Sequence, residues 1–317
     1  MADLPSEIII TAKNFVKLAR PVHWIKNLSL FAALIFTGNL FDPVLFDKVV
    51  LAVVAFSLAT SATYIFNDVL DAKYDRLHPI KKFRPVASGA VSVPVALFLS
   101  FIFALSALAI AKPLNQLFFI MVFGYLILQA IYSLGLKKVA IIDILIIAAG
   151  FVMRVYAGSF VIDAHLSVWF LLCVVSVSLF LASGKRRAEL NLIPETGVTR
   201  LSLTHYRREL LNSYVTMFGN AAWMGWALFT FFESPRASLP VWLFLAELSR
   251  ATTINKLLMA TIPVTIFGIM RYQSLIFEGR GESPEKLLLT DIPLIASVAV
   301  WLGMVVWILY GGLATFP

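Results

Sequence analysis

Tyr64-Ile65-Phe66-Asn67-Asp68-Val69-Leu70-Asp71-Ala72-Lys73-Tyr74-Asp75-Arg76 closes an apolar run that begins near residue 48. The run before Asn67 is roughly 20 residues long, enough for a helix to cross about 30 Å of hydrocarbon. If that helix continues, positions 67, 68, 71 and 75 fall within an arc of roughly 100° and extend over about 12 Å of axis. One amide and three carboxylates then share a face at a membrane edge, where like charges repel strongly. Such a cluster is sensible where cations sit among the acids. Carboxylates are hard oxygen ligands, and Mg²⁺ takes one or two of them together with waters and substrate phosphates. Asn67, Asp68, Asp71 and Asp75 are therefore the candidate metal residues, for Mg²⁺ and a diphosphate-bearing substrate. The plainer alternative is a solvated helix end, with Asp71 or Asp75 paired to Lys73, Arg76 or Lys81.

Immediately downstream stands His78-Pro79-Ile80-Lys81-Lys82-Phe83-Arg84-Pro85-Val86-Ala87-Ser88-Gly89. Basic side chains beside metal-binding acids suit a polyphosphate, whose charge exceeds what one or two Mg²⁺ ions neutralise. Lys81 and Lys82 are equally well explained as a plain basic loop. Arg84 is the stronger candidate, because Pro85 and Gly89 shape its surroundings.

The rest of the chain sets this motif in a bilayer. Of 317 residues, 60% are hydrophobic, and the mean hydropathy is +0.87; a soluble domain of this size could not hide so much apolar surface. Nine spans are expected, at about 22–41, 48–67, 93–111, 115–134, 139–161, 166–184, 212–232, 256–275 and 291–311. They would form one all-α transmembrane domain over residues 1–317 around a central polar cavity, with residues 1–20 as a cytoplasmic N-terminal segment. The stretch 234–255 is ambiguous between a span and an interfacial helix, since Pro240, Glu247 and Arg250 interrupt it. Met1 to Lys26 does not read as a cleaved signal peptide.

With the N-terminus inside, 20 of the 26 Lys and Arg residues fall on the cytoplasmic side, which predicts an N-in, C-out topology in the cytoplasmic membrane. The net charge of +8 lies in short loops between spans, so a lipid bilayer is the expected partner and nucleic acid is not. Cys173 stands alone, and His23, His78, His165 and His205 are scattered without zinc spacing. A homo-oligomer is neither required nor excluded.

On these residues the sequence resembles the UbiA superfamily of intramembrane prenyltransferases. The resemblance rests on Asn67-Asp68-x-x-Asp71-x-x-x-Asp75, on Arg84-Pro85 followed by Gly89, and on the nine expected spans. The superfamily has a second acidic motif after span four. Here that position reads Tyr132-Ser133-Leu134-Gly135-Leu136-Lys137-Lys138, and Asp143 is the only nearby acid. In this the chain is similar to one branch, the decaprenyl-phosphate phosphoribosyltransferases. So are Arg20-Pro21-x-x-Trp24-x-Lys26-Asn27, Phe151-x-x-Arg154 with Gly158, Gly184-Lys185-Arg186-Arg187-Ala188-Glu189, and Pro284-Glu285 near Asp291.

The resemblance implies a Mg²⁺-dependent transfer from phosphoribosyl diphosphate to a polyprenyl phosphate. It places Asp68, Asp71, Asp75 and Asp143 among the catalytic acids. Lys26, Asn27, Arg84, Tyr132, Lys137, Arg154, Lys185 and Arg186 become the expected substrate-binding residues. Two phosphorylated substrates need more cations than a prenyl diphosphate with a neutral acceptor, and Lys137, Lys138 and 185–187 move the balance that way. Arg154, inside span five, is expected to line the cavity, the alternative being that it snorkels toward Asp163. A prenyltransferase acting on an aromatic acceptor is the second reading, weakened by the missing acid pair. A transporter is the third.

Overall fold

A computed structural model describes residues 13–78, 81–191, 206–233, 252–281 and 284–311. Among the described residues all regular structure is helical. The chain enters through a 3-10 segment, Pro21–Leu30, continuous with the short helix α1 (Phe31–Phe36). There follow α2 (Pro43–Asp75), α3 (Val93–Leu114), α4 (Gln116–Leu134), α5 (Ile142–Val161), α6 (Val168–Asn191) and α7 (Arg208–Phe232). A second 3-10 segment, Thr252–Thr261, leads into α8 (Ile262–Phe277), then the short α9 (Pro284–Thr290) and α10 (Ile292–Tyr310).

Among the described residues seven stretches are long and apolar enough to cross a membrane: α2 to α6, Lys256–Phe277 and α10. The other two expected spans coincide with Pro21–Phe36 and with α7, whose 25 residues include Asn212 and Asn220. The ambiguous stretch before residue 252 and the N-terminal segment before Lys13 lie outside the described residues.

Local chemistry starts these helices where they start. Asp42 caps α2 by accepting from the Val44 and Leu45 amides at 2.9 and 3.0 Å, with Pro43 in the first turn. Asn115 separates α3 from α4 and accepts from the Leu117 amide at 2.7 Å. Asp291 caps α10 through the Leu294 amide at 3.1 Å. These caps satisfy amides that would otherwise be orphaned near an apolar phase.

Burial sorts the helices into an inner and an outer set. Over their most apolar windows α2 and α5 are 56% buried, against 17% for α3. On α3, Phe98 and Phe101 stand exposed, as a lipid-facing helix requires. The Pro21–Leu30 segment lies on α5 so closely that a Cβ at Gly158 would sit 2.1 Å from the Leu30 carbonyl oxygen. Only glycine permits that approach.

The expected first span differs from a regular α-helix. A 3-10 segment has three residues per turn, so residues i and i+3 eclipse. Trp24 and Asn27 accordingly align toward α2, donating to the Ser61 hydroxyl at 2.9 Å and the Ser57 hydroxyl at 3.0 Å. His23 and Lys26 align on a neighbouring stripe. Side-chain bonds made every third residue favour the tighter winding over the α-helix that hydropathy alone suggests.

Candidate active site

α2 runs unbroken through the motif to Asp75, so Asn67, Asp68, Asp71 and Asp75 do share one helix end. Their hydrogen-bond and ion-pair partners include Arg20, Arg84 and Lys137, which lie outside the helix end itself. Arg20, in the left-handed region at φ 53°, places Nη2 2.5 Å from Asp68 Oδ1. Arg84 Nη1 donates to Asp75 Oδ2 at 2.6 Å and to Asp68 Oδ1 at 3.2 Å. Lys137 Nζ donates to Asp71 Oδ1 at 2.6 Å and to Asn67 Oδ1 at 2.9 Å, while Asn67 Nδ2 donates to Asp71 Oδ2 at 2.9 Å.

The loop that carries Arg84 is folded back onto α2. Arg76 Nε reaches the Ala87 carbonyl at 3.2 Å, the Ser88 amide bonds to the Arg84 carbonyl at 2.8 Å, and Gly89 turns the chain at φ 81°. Lys137 sits in the short 3-10 turn Leu136–Lys138 that follows α4, which aims it at the motif. Three cations from three segments therefore converge on one acidic helix end.

Asp68 is the innermost acid, 1% exposed. Its Oδ2 is buried without a hydrogen-bond partner among the described residues, which is costly for a carboxylate oxygen unless a ligand meets it. No group of three or more His, Cys, Asp or Glu side chains is gathered tightly enough among the described residues to hold a metal alone. The oxygen donors present instead fit a cation that shares its coordination with substrate phosphates.

Asp143, Arg186 and Tyr132 form a separate, closed cluster. Arg186, fully buried on α6, lies 2.6 Å from both Asp143 Oδ2 and Glu189 Oε2, and donates to the Tyr132 hydroxyl at 2.8 Å. Tyr206 donates to Asp143 Oδ1 at 2.7 Å and accepts from the Ile141 amide at 2.5 Å. Burial first, then the Asp143 hydrogen bond, pushes the Tyr206 phenol well above its ordinary range. Ile141, a β-branched residue at φ 70°, is held in strain by this contact. Lys185 is half-buried beside Arg186 on α6.

Arg154 points inward and not toward Asp163. Its Nε donates to Asn27 Oδ1 at 2.7 Å and its Nη2 to the Tyr125 hydroxyl at 2.9 Å, with a further bond to the Gly150 carbonyl. Its guanidinium stacks 4.9 Å from the Tyr125 ring centre. No carboxylate pairs with it among the described residues, so a buried positive charge is compensated by neutral groups alone.

A fourth cluster joins these. Glu285, 3% exposed on α9, contacts His23 Nδ1 through Oε1 and lies 3.1 Å from Lys26 Nζ through Oε2. Burial pushes the Glu285 carboxyl up, but His23 and Lys26 outweigh it and hold the group well below the usual carboxylate range. The His23 ring packs 4.7 Å from Tyr64, whose ring also carries the Arg20 guanidinium at 5.0 Å. Lys26 and Glu285, in contact with each other, line a cavity of about 300 Å³ whose other walls include Phe151, Phe180, Ile269, Leu294 and Trp301. A cavity with charged groups at one end and apolar walls is present, rather than one polar throughout.

Arg20, His23 and Glu285 were not expected at the site. Arg20 and Glu285 stood inside stretches that carried the resemblance, and the three-residue spacing of His23 and Lys26 would have aligned them had a 3-10 winding been assumed.

The chain is similar to known proteins. The UbiA prenyltransferase family pattern covers residues 28–251. The decaprenyl-phosphate phosphoribosyltransferase of Mycolicibacterium smegmatis is 37% identical over 298 residues, covering 92% of this chain and 91% of that one. The enzyme of the same description from Mycobacterium tuberculosis is 33% identical over 295 residues, 92% of each. A UbiA homolog from Archaeoglobus fulgidus, solved with GPP and Mg²⁺, shares the fold at a TM-score of 0.65 and 18% identity, over 92% of this chain and 99% of that one. With the acidic helix end in place and both family pattern and relatives extending over most of its length, the chain belongs to the UbiA prenyltransferase family.

Proposed function

We propose that this protein is a Mg²⁺-dependent polyprenyl-phosphate phosphoribosyltransferase. It moves the 5-phosphoribosyl group of phosphoribosyl diphosphate to a polyprenyl phosphate and releases diphosphate. The observation that carries this reading is Lys137 Nζ, 2.6 Å from Asp71 Oδ1 and 2.9 Å from Asn67 Oδ1. A cation faces the first motif from the position where a second acid pair would serve a prenyl diphosphate. The phosphoribosyltransferases among the relatives support the same choice.

In the reaction, the bond from the anomeric carbon to the diphosphate oxygen breaks with its electron pair leaving on diphosphate. A lipid phosphate oxygen forms the new bond to that carbon. Asn67, Asp68, Asp71 and Asp75 would hold Mg²⁺, which neutralises charge on the leaving diphosphate. The buried, unpartnered Asp68 Oδ2 fits that role. Arg84 and Lys137 pair with the donor's phosphates by exchanging their carboxylate partners for phosphate oxygens, and Arg20 orients Asp68. The attacking oxygen is already anionic, so orientation and charge placement supply most of the acceleration. Asp143 and Arg186, buried against each other, act by positioning the turn that carries Lys137 and the hydroxyl of Tyr132. Lys26 lines the cavity, Asn27 accepts from Arg154 Nε at 2.7 Å within the protein, and Lys185 adjoins Arg186 on α6.

The cations that gather at the motif belong to the basic side of the chain, so the site opens to the cytoplasmic face of the inner membrane, with the nine-span, N-in arrangement. The test is donor competition with purified protein in detergent. Phosphoribosyl diphosphate and a prenyl diphosphate are supplied together with a polyprenyl phosphate and an aromatic acceptor. Consumption of the first with release of diphosphate is expected. Prenylation of the aromatic acceptor alone would overturn the proposal.

A further inference from the structure

Glu285 occupies an unusual place for a carboxylate. It is buried at the mouth of an apolar cavity and held by two cationic or proton-donating side chains, His23 and Lys26, eclipsed on one 3-10 stripe. Neither belongs to the acidic helix end, yet His23 is separated from Arg20 and Asp68 by a single shared ring, Tyr64. Behind the trio the cavity walls are apolar, and the indole N–H of Trp301 in that wall is buried without a hydrogen-bond partner among the described residues. A ligand that fills this space therefore has an anionic head and a hydrocarbon body, with its head linked to Asp68 through the Tyr64 ring and Arg20.

We propose that His23 and Lys26 form the seat for the phosphate monoester head of the lipid acceptor, and that Glu285 holds the seat as an internal carboxylate which the head displaces. This rests on the phosphoribosyl-transfer reading for the identity of the acceptor, though not for the existence of the seat. Lys26 Nζ offers a compact charge with three donors, and His23 Nδ1, in contact with Glu285 Oε1, is the second group able to donate to a phosphate oxygen. Two half-buried donors of this kind beside an apolar cavity are costly to leave without an anion, so the free protein needs a surrogate. The surrogate must also be weaker than the substrate. A phosphate monoester carries more charge and more acceptor oxygens than one carboxylate, and its prenyl chain adds burial in the cavity. Glu285 thus keeps the seat formed between turnovers and lowers acceptor affinity by the cost of its own displacement. It is a positioning residue that does not touch the reacting atoms.

The experiment measures binding without donor, so that it stands apart from the donor competition. Farnesyl phosphate is titrated into the full chain in detergent by calorimetry, with farnesyl diphosphate and farnesol as parallel arms. Lys26→Gln and His23→Gln should each weaken farnesyl phosphate binding about tenfold, the loss of one charge-assisted contact. Both should leave farnesol unchanged. Glu285→Gln should instead tighten farnesyl phosphate binding, by about threefold to tenfold on the same scale, while lowering the thermal midpoint of the free protein. Lys112→Ala, exposed and remote, is the control. A Glu285→Gln protein that binds farnesyl phosphate more weakly than wild type, or equally, overturns the displacement. Wild-type affinity in both Lys26→Gln and His23→Gln overturns the seat itself, whatever the folding of the Glu285 variant. Stronger binding of farnesyl diphosphate than of the monophosphate at this pair would assign the seat to a diphosphate and also overturn it.

Discussion

Replacing Lys137 with Met keeps the length of the side chain and removes its charge. Nζ now sits 2.6 Å from Asp71 Oδ1 and 2.9 Å from Asn67 Oδ1, on a side chain 10% exposed. At 2.6 Å and an effective dielectric of about 20, the bare attraction to Asp71 is roughly 6 kcal/mol, most of which desolvation and side-chain ordering cancel. A net contact of about 1.5–3 kcal/mol remains for a charged hydrogen bond. When Lys137 turns to a donor phosphate in the occupied site, the same magnitude applies, which is one to two powers of ten in donor affinity. The assay is steady-state diphosphate release with the donor varied at saturating polyprenyl phosphate, then the reverse. Lys137→Met should lower donor kcat/KM by about tenfold to a hundredfold while leaving the acceptor KM nearly unchanged. Lys137→Arg should recover only part of this, because a planar fork does not reproduce a point charge between an amide and a carboxylate. Lys48→Ala is the remote control. An unchanged donor KM and kcat in Lys137→Met would refute the reasoning, since a lysine in this place would then serve only to quiet Asp71 in the free protein.

Four further outcomes follow from the same geometry. Asp68→Ala, Asp71→Ala and Asp75→Ala should each abolish diphosphate release without loss of the helical fold, and EDTA should do so reversibly, with Mg²⁺ restoring turnover. Arg186→Ala should cost stability first, about 3–5 kcal/mol in a denaturation titration, because it removes the cation paired with the buried Asp143 carboxylate; wild-type stability would show that cluster to be dispensable. Because Glu285 is held below the usual carboxylate range, its contribution to stability is complete above the ordinary value near about pH 4.3 and is lost as pH falls through the depressed one; a thermal midpoint that falls in that acid range in wild type and is flatter in Glu285→Gln checks it. A cysteine at exposed Ser88 should be labelled from the cytoplasmic side and one at exposed Lys112 from the other, against a Cys173 background that is buried.

How much of this was legible in the sequence depended on whether the information was local. The acidic helix end was legible because Asn67, Asp68, Asp71 and Asp75 lie within three turns of one apolar helix, and helical period alone puts them together. Arg154 was legible for a related reason: a charge deep in a span has few choices, and the inward one prevailed. What period and hydropathy could not supply was pairing across the chain. Arg20 joins Asp68 only because residue 20 adopts a left-handed backbone just before Pro21, and no pattern in the residues around either predicts that. Asp143 read as the only acid near the missing pair and was expected among the catalytic acids, while its partners, from α6 and from Tyr206, lie far along the chain where local pattern does not reach.

The same limit explains the first span. Hydropathy registers that Pro21–Phe36 is apolar enough to enter a bilayer edge, and reports nothing of winding. The 3-10 period is imposed by bonds that Trp24, Asn27 and Arg154 make with α2 and α5, which are themselves the inner helices of the bundle. Once that period is set, His23 and Lys26 eclipse, and a carboxylate from α9 can reach both. The polar end of the apolar cavity is therefore a consequence of packing at its far side. A substitution such as Gly158→Ala, which would push a methyl group to 2.1 Å from the Leu30 carbonyl oxygen, should disturb His23 and Lys26 without touching either. Loss of farnesyl phosphate binding in that variant, with the Lys137 contact and donor KM preserved, would show that the acceptor seat and the donor site are supported by separate parts of the fold.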